Sequence, residues 1–444
     1  MTGRPAPQID ALAVPPRLVL PLETPRFRFS DVRVQDGQTV AAGAVLAADT
    51  ANFGVPLIAP RGGVVRLGQT PGHVVLEDVT PDPPQAVAAG QAQEARPPCE
   101  RCDRLLRLGA WSYFADAHTG GLPDPQVAPR AVLVSTLRLE PFEARGDVLL
   151  ARSLEAFLRG LEQVQSLLEY QPTYLVVPKV ESSLANRIHE SLRGLAWIQS
   201  VTVPLRYPFD RFAVLARGMG LMKDAGPPVW GLRVEGVLAV EQALGRGVPI
   251  SSRVITLGGP GVKRPRHIEA LPGTPLETLL AGETIDEPVR VITGGALTGR
   301  QTDPAATGLD PDCAGLTLVP ETVPREVLSF VRPGLDRKSY SRTFLGSLLG
   351  GEGGRTTALQ GEPRACIACG LCAEVCPAGI LPHVIHRALY RKDIDAADRL
   401  RVDLCVRCGL CAYVCPSKLE LLREFIEAQD TLRAERLEAE GARA

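Results

Sequence analysis

Nowhere in this chain of 444 residues do about 18 apolar side chains follow one another, so no segment reads as a helix long enough to cross a bilayer. The N-terminus, "MTGRPAPQIDALAVPP", has neither a basic n-region nor an apolar h-region. The expectation is a cytoplasmic chain with no transmembrane segment of its own. An excess of charge is also missing. Lys and Arg number 49 against 50 Asp and Glu, a formal net charge of -1, which gives no general attraction to nucleic acid or anionic lipid. Nucleic acid is therefore not expected as a partner. No lysine precedes Lys179, which excludes a lysine-borne cofactor arm in the N-terminal part.

Cysteine is what the chain has in one place. Of 11 cysteines, eight fall between Cys366 and Cys415, and in a long chain without an export signal such crowding reads as metal ligation rather than as a disulfide framework. The stretch "CIACGLCAEVCP" (366–377) returns as "CVRCGLCAYVCP" (405–416). Both have the spacing C-x2-C-x2-C-x3-C-P of two-cluster bacterial ferredoxins, in which the fourth cysteine serves the other cluster. The expected ligand sets cross over accordingly: Cys366, Cys369, Cys372 and Cys415 for one [4Fe–4S] cluster, and Cys405, Cys408, Cys411 and Cys376 for the other. Gly370 and Gly409 suit a loop whose backbone N–H groups pass close to inorganic sulfur. Structural zinc also uses C-x2-C pairs, but zinc sites rarely need two runs of four cysteines each followed by proline.

Between the runs, Ile380, Leu381, Val384, Ile385, Ala388 and Leu389 recur at helical spacing. His383 and His386 lie on that helix and read as surface or packing residues. After Pro416 an amphipathic helix with Leu419, Leu422, Phe425 and Ile426 on one side ends in a fraying tail.

The sequence in front divides by pattern. Residues 30–78 give short strands punctuated by Asp36–Gly37, Gly43 and Gly62–Gly63, which looks like the lipoyl-type barrel-sandwich fold. From about residue 130, "RAVLVST", "SLEAFLRGLEQVQSLLEY", "TYLVVP", "SLANRIHESLRGL" and "QSVTVPL" alternate strand and helix as a parallel, Rossmann-like unit. After its first strand, "TLRLEPFEARGD" carries no G-x-G-x-x-G turn to bring amides to a pyrophosphate, so FMN or NADH has no phosphate-binding motif here. Residues 246–300 describe a β-grasp domain with a helix entered at "GTPLETLL", where Thr274 is the expected cap and Glu277 completes a capping box. Gly258, Gly259, Gly261 and the pair Gly294–Gly295 read as turns in preference to a phosphate cradle. Cys99 and Cys102 form a lone C-x2-C read as packing, and Cys313 reads as a buried thiol.

These residues together resemble a known family. The cluster segment is similar to that of the Rnf-C component of the Rnf electron-transport complex. "LRLGAWSYF", "GVPISSRVITLGGPGVKRPR", "ITGGALTGR" and "FVRPGLDRKSYSRTFL" look like the Nqr-A component of the sodium-pumping NADH:quinone reductase, Nqr. Both families resemble the flavin-carrying subunit of complex I. Two segments depart from Rnf. "YFADAHTGGLPDPQVAP" keeps Gly120 and Gly121 but not the Gly-Phe-Pro that follows there, and Phe209, Asp210 and Arg211 replace a glycine and glutamate. The resemblance does not carry a flavin or NADH site into this chain.

The resemblance implies a multidomain α/β plus β chain: a lipoyl-like barrel-sandwich domain (1–95), a Rossmann-like α/β domain (96–245), a β-grasp, SLBB-like domain (246–320), a linker or docking segment (321–360) and a helical two-[4Fe–4S] ferredoxin-type domain (361–444). It further implies a peripheral subunit on the cytoplasmic side of the cell membrane. Its partners would be membrane subunits of a redox complex and a flavoprotein or ferredoxin. The expected function is electron transfer through two [4Fe–4S] clusters in an Rnf/Nqr-type NADH:quinone or ferredoxin:NAD oxidoreductase, with no catalytic side chain to assign. Two alternatives stand beside it. The chain could itself bind NADH or flavin as the dehydrogenase, or be the iron–sulfur subunit of a heterodisulfide or glycolate-type oxidoreductase.

Overall fold

The structure, a computed structural model, describes residues 3–87, 100–168, 171–179, 183–222, 226–321 and 363–441. Cys99, the segment "SYSRTFLGSLLGG" and nearly all of 321–360 lie outside the described residues.

The N-terminal strands are β1 (Ile9–Ala11), β2 (Leu18–Pro21), β3 (Asp31–Val32), β4 (Thr39–Val40), β5 (Val45–Asp49), β6 (Val55–Ile58), β7 (Gly63–Leu67) and β8 (His73–Glu77). They form a four-stranded sheet ordered β2-β8-β7-β4 and a three-stranded sheet ordered β3-β5-β6. Leu18, Leu20, Leu46, Leu57, Val65, Val74 and Leu76 from both sheets are buried in one core. Strand β1 departs from its neighbours and pairs in parallel with a strand near residue 267.

Helix α1 (Glu100–Arg107) buries Cys102 and Leu105 in that same core. Next come β9 (Ala115–Asp116), β10 (Ala131–Ser135), α2 (Gly146–Gln165), β11 (Thr173–Pro178), α3 (Ser183–Ser191), β12 (Ile198–Val203), α4 (Phe212–Gly218), β13 (Val229–Arg233) and α5 (Val234–Val240). The sheet order is β12-β11-β10-β13-β9, parallel except for the edge strand β9. Every residue of β10 is buried, as a parallel strand covered on both faces requires. Val132 and Val134 share a core with α2 and α5, and Leu133 shares one with Leu215 and Ala216 of α4. Gly160 lets α2 touch α5, since a Cβ there would stand 2.5 Å from the Val237 carbonyl. The sequence places the start of α2 at Ser153. It begins seven residues earlier, at Gly146, and Ser153 itself is a kink with φ -137°.

The third sheet holds β14 (Arg253–Gly258), β15 (Arg266–Ala270), β16 (Val289–Thr293), β17 (Arg300–Gln301) and β18 (Gly315–Pro320) in the order β1-β15-β14-β18-β16-β17. Helix α6 (Leu276–Leu280) packs Leu276, Leu279 and Leu280 onto Ile255, Leu257, Leu316 and Leu318. The expected cap is not formed: Pro275 occupies the N-cap, and the Thr274 hydroxyl donates to the Leu271 carbonyl at 2.8 Å. The glycines are close-approach positions, a Cβ on Gly259 meeting the Leu318 carbonyl at 2.2 Å. Cys313 is buried, its Sγ donating to the Gly315 carbonyl at 3.2 Å, and burial pushes this thiol up to about 12.

The C-terminal part is helical: α7 (Leu371–Glu374), α8 (Pro382–Tyr390), α9 (Ile394–Arg399), α10 (Leu410–Tyr413) and α11 (Leu421–Gly441). The single helix expected between the cysteine runs is two, because Lys392 turns left-handed (φ +59°) and Asp393 caps α9 through the Ala396 N–H at 2.9 Å. The buried stripe of α11 is Leu421, Phe425, Ala428 and Leu432; the expected Leu419 packs against the same core from just before the helix, and the expected Leu422 is half-buried beside the stripe. Among the described residues no helix is long and apolar enough to cross a membrane.

Candidate metal centres

The two cysteine runs fold alike because their backbones turn at the same places. Ala368 and Gly370 in the first run have φ +53° and +81°, and Arg407 and Gly409 in the second have +51° and +75°. The third residue after each fourth cysteine repeats the device, Gly379 at +67° and Lys418 at +57°. Left-handed turns of this kind aim successive N–H groups into one concavity. Holding Ala368, Arg407 and Lys418 there costs energy that only an over-determined loop sustains.

The folded runs enclose two cavities. Cys366, Cys369, Cys372 and Cys415 line one, with Ile367, His383, Leu419 and Leu421 among its walls. Cys376, Cys405, Cys408 and Cys411 line the other, with Ile380, Leu422 and Phe425. They are a matched pair in size. Each takes three cysteines from one run and the fourth from the other. Among the described residues no three His, Cys, Asp or Glu side chains close on a point as one metal ion needs. Four thiols spread around a cavity suit a multi-atom inorganic cluster better than a zinc ion at about 2.3 Å from each sulfur.

Burial pushes the Cys405 thiol up to about 11 and raises Cys372, Cys408 and Cys411 as well. Apolar walls disfavour the thiolate, so a cationic group has to offset that cost for these cysteines to act as ligands. The four-thiol sets and the inward N–H groups fit an iron–sulfur cluster on that count.

The two histidines differ. His386 packs as expected, its Nδ1 2.7 Å from Glu424 Oε2, tying α8 to α11. His383 faces the first cavity, with Nδ1 3.9 Å from Cys372 Sγ.

The second run is seated on the rest of the chain. Tyr207 donates its hydroxyl to the Cys408 carbonyl at 2.6 Å, and Arg217 Nη2 donates to the Leu404 carbonyl at 3.0 Å. Gly409 lies so near the Leu297 carbonyl that a Cβ would come within 2.5 Å of it. Behind this seat, Arg211 Nη2 donates to Glu140 Oε2 at 2.7 Å, to the Tyr207 hydroxyl at 3.1 Å and to Thr298 Oγ1 at 3.3 Å. The other Glu140 oxygen accepts the N–H groups of Leu297 at 2.9 Å and Thr298 at 2.7 Å. Burial works against the Glu140 charge and pushes its carboxyl up, with Glu143 adding to the push, while Arg211, Thr298 and the Leu297 N–H pull it down. Burial alone would lower the Arg211 guanidinium, but Tyr207 and Glu140 more than offset it. The first run has a more open setting, with Cys369 exposed and Ile367 66% exposed against 7% for Cys408. Sequence reasoning missed Tyr207 and Arg217. The signal nearby was "PFD" with Arg211, singled out only as a departure.

A further cavity of about 480 Å³ opens at the carboxyl ends of β10 and β11, lined by Thr136, Leu139, Phe142, Gly146, Val177 and Leu205 among others. Its size suits a small molecule. Its helix terminus does not suit a phosphate: Asp147 stands in the first turn of α2 beside Arg145, and a Cβ on Gly146 would meet the Thr136 carbonyl at 2.0 Å.

Residues 254–303 match a family model described as the NQRA C-terminal domain, an SLBB domain, and residues 358–416 match a 4Fe-4S dicluster domain. The A-type subunit of the Na(+)-translocating NADH-quinone reductase of Pseudomonas aeruginosa is 30% identical over 382 residues, covering 83% of this chain and 82% of that protein. Its counterpart in Shewanella frigidimarina is 26% identical and that in Neisseria meningitidis serogroup A 27%, each with the same coverage. Among solved structures, NAD+-reducing [NiFe]-hydrogenase in the air-oxidized state matches at TM-score 0.39 and 15% identity, covering 49% of this chain and 46% of that one. The H2-reduced state matches at TM-score 0.42 and 14% identity, covering 74% and 62%. The chain spans less than two thirds of either hydrogenase chain.

Proposed function

Because the chain belongs to the NQRA family of the Na(+)-translocating NADH-quinone reductase and carries a 4Fe-4S dicluster domain, we propose that it is an iron–sulfur electron-transfer subunit of an Rnf/Nqr-type NADH:quinone or ferredoxin:NAD oxidoreductase. One observation carries this reading: eight cysteines divide four and four around two cavities of like size. In this reading Cys366, Cys369, Cys372 and Cys415 hold one [4Fe–4S] cluster, and Cys405, Cys408, Cys411 and Cys376 hold the other. The clusters supply one-electron redox chemistry. The chain's own residues supply thiolates, inward N–H groups, apolar walls that keep water from the buried sulfurs, and the seat made by Tyr207, Arg217 and Leu297.

The domain plan proposed is barrel-sandwich (1–95), Rossmann-like (96–245), β-grasp (246–320), linker or docking segment (321–360) and two-cluster (361–444). The protein would sit peripherally on the cytoplasmic side of the cell membrane against membrane subunits, with a flavoprotein or ferredoxin as redox partner.

A second reading is favoured by the cavity at the strand ends, where open α/β sheets bind ligands. There the chain itself would hold a flavin or NADH, its phosphate kept away from the Asp147-bearing start of α2. One preparation separates the two: anaerobic purification, iron and labile-sulfide assay, EPR of the reduced protein, and fluorimetry of acid-released flavin. About eight irons with two interacting cluster signals and no flavin support the relay. Stoichiometric flavin, or cluster bleaching by NADH alone, moves the dehydrogenase site into this chain. Fewer than about five irons per chain in freshly loaded protein refutes the two-cluster reading.

A further inference from the structure

Two arginines of one short stretch, Arg211 and Arg217, flank the second cysteine set from the parallel α/β layer. Arg211 lies against it through Tyr207, and its charge acts on the Cys408 thiol. Arg217 is closer to the chemistry. One amino group of its guanidinium is fixed on the carbonyl preceding Cys405. The other, Nη1, is buried and has no hydrogen-bond partner among the described residues. Burial lowers its guanidinium, and Asp403, Cys376 and Cys405 oppose that. An amino group buried without a partner is costly unless an acceptor or an anion faces it, and four thiolates with their sulfides are such an anion. The first set has cations of another kind. Lys418 and Arg364 stand near its cysteines in sequence, but Arg364 is exposed and Lys418 is less buried than Arg217, so solvent screens them more than it screens the buried Nη1 of Arg217.

We propose that Arg217 compensates the charge of the second cysteine set, so that this set takes up an electron more readily than the first and an electron shared between them resides against the α/β layer. A positive charge near a cluster stabilises its reduced, more negative form, and net charge and hydrogen bonds to sulfur are what set such potentials. Arg217 is in this sense a positioning residue for the electron. The inference rests on the two-cluster reading.

The test is an EPR-monitored redox titration of the full chain, anaerobically loaded, comparing wild type with Arg217→Gln and Arg217→Lys, and with Arg364→Gln as the exposed control. The expected result for Arg217→Gln is a roughly tenfold loss in the one-electron reduction equilibrium of the second set, about 59 mV, with the first set unmoved. Arg217→Lys keeps the charge and should hold the second midpoint within about threefold of wild type, about 28 mV. An unshifted second midpoint in Arg217→Gln, or equal shifts at both sets, overturns the proposal. So does a lysine variant that falls as far as the glutamine one, since the role would then be seating and not charge. If Arg217→Gln binds less iron, the lysine variant decides by the same criterion. A wild-type chain without two cluster signals defeats the two-cluster reading. Two signals with an unmoved second midpoint defeat this inference alone.

Discussion

Tyr207 and Cys408 lie 201 residues apart in sequence and are joined by a hydrogen bond of 2.6 Å, hydroxyl to carbonyl. The bond fixes one cysteine loop on the parallel α/β layer while the equivalent loop of the first run, around Cys369, faces outward. The Tyr207→Phe variant leaves that carbonyl without its donor, at a cost of about 1–3 kcal/mol. Amide exchange across 405–411 should quicken by about tenfold or more, with exchange in α8 unchanged. Equal protection in both proteins would mean that the seat does not depend on this bond.

The crossing of the ligand sets has its own test. Cys376→Ser should abolish the EPR signal that Arg217 variants move, and Cys415→Ser should abolish the other, with about four irons left in each case. If Cys376→Ser removes the signal that depends on Cys366, Cys369 and Cys372, each run serves its own cluster and the crossed assignment is wrong.

Phe425 is fully buried at the wall of the second cavity. Its replacement by alanine should destabilise the C-terminal helices by about 3–5 kcal/mol and lower iron content before it alters the secondary structure of the sheets. Normal iron loading at ambient temperature with an unchanged unfolding midpoint would count against that wall.

The aromatic cluster under the α/β layer makes a contrasting case. Trp230 meets Trp111 edge-on at 5.2 Å and Phe114 at 5.6 Å. Trp230→Phe keeps much of the packing, whereas Trp230→Ala should cost about 3–5 kcal/mol and leave the EPR spectrum of loaded protein unchanged. A changed spectrum would show that this core reaches the cysteine loops.

Asp310 supplies a pH dependence remote from any cysteine set. Burial, with Asp312 adding to it, pushes its carboxyl up to about 7, against about 3.9 in the unfolded chain. A raised carboxyl binds its proton better in the fold, so the stability it lends is full below about pH 4 and is lost as pH rises through about 7. Asp310→Asn should therefore be more stable than wild type at pH 8, by about 1–3 kcal/mol, and no different at pH 4. Thermal melts at the two pH values decide it, and a difference that is larger at pH 4 would reverse the sign.

What could be read in advance follows the range of the interactions. The cysteine loops are local, so spacing alone points to Cys366 through Cys415, and the buried run of β10 is readable because both of its faces are covered. The break between α8 and α9 was hidden because a left-handed lysine leaves no compositional mark. Thr274 is not the cap because the helix starts one residue later, with Pro275 at the N-cap, and its hydroxyl is turned back to donate to the Leu271 carbonyl, a contact that only the fold supplies. Tyr207 and Arg217 were beyond reach, since their partners, Cys408 and Leu404, lie 201 and 187 positions away.

The exchange of Cys376 and Cys415 between the two cavities also makes the repeat indivisible. A duplicated unit commonly leaves two copies that can be lost or modified one at a time. Here a chain ending just after Cys411 would keep every cysteine of its second cavity and still breach the first, because Cys415 belongs to that wall. Neither copy is a spare for the other, and losing the last cysteine of the second run opens the cavity built on the first.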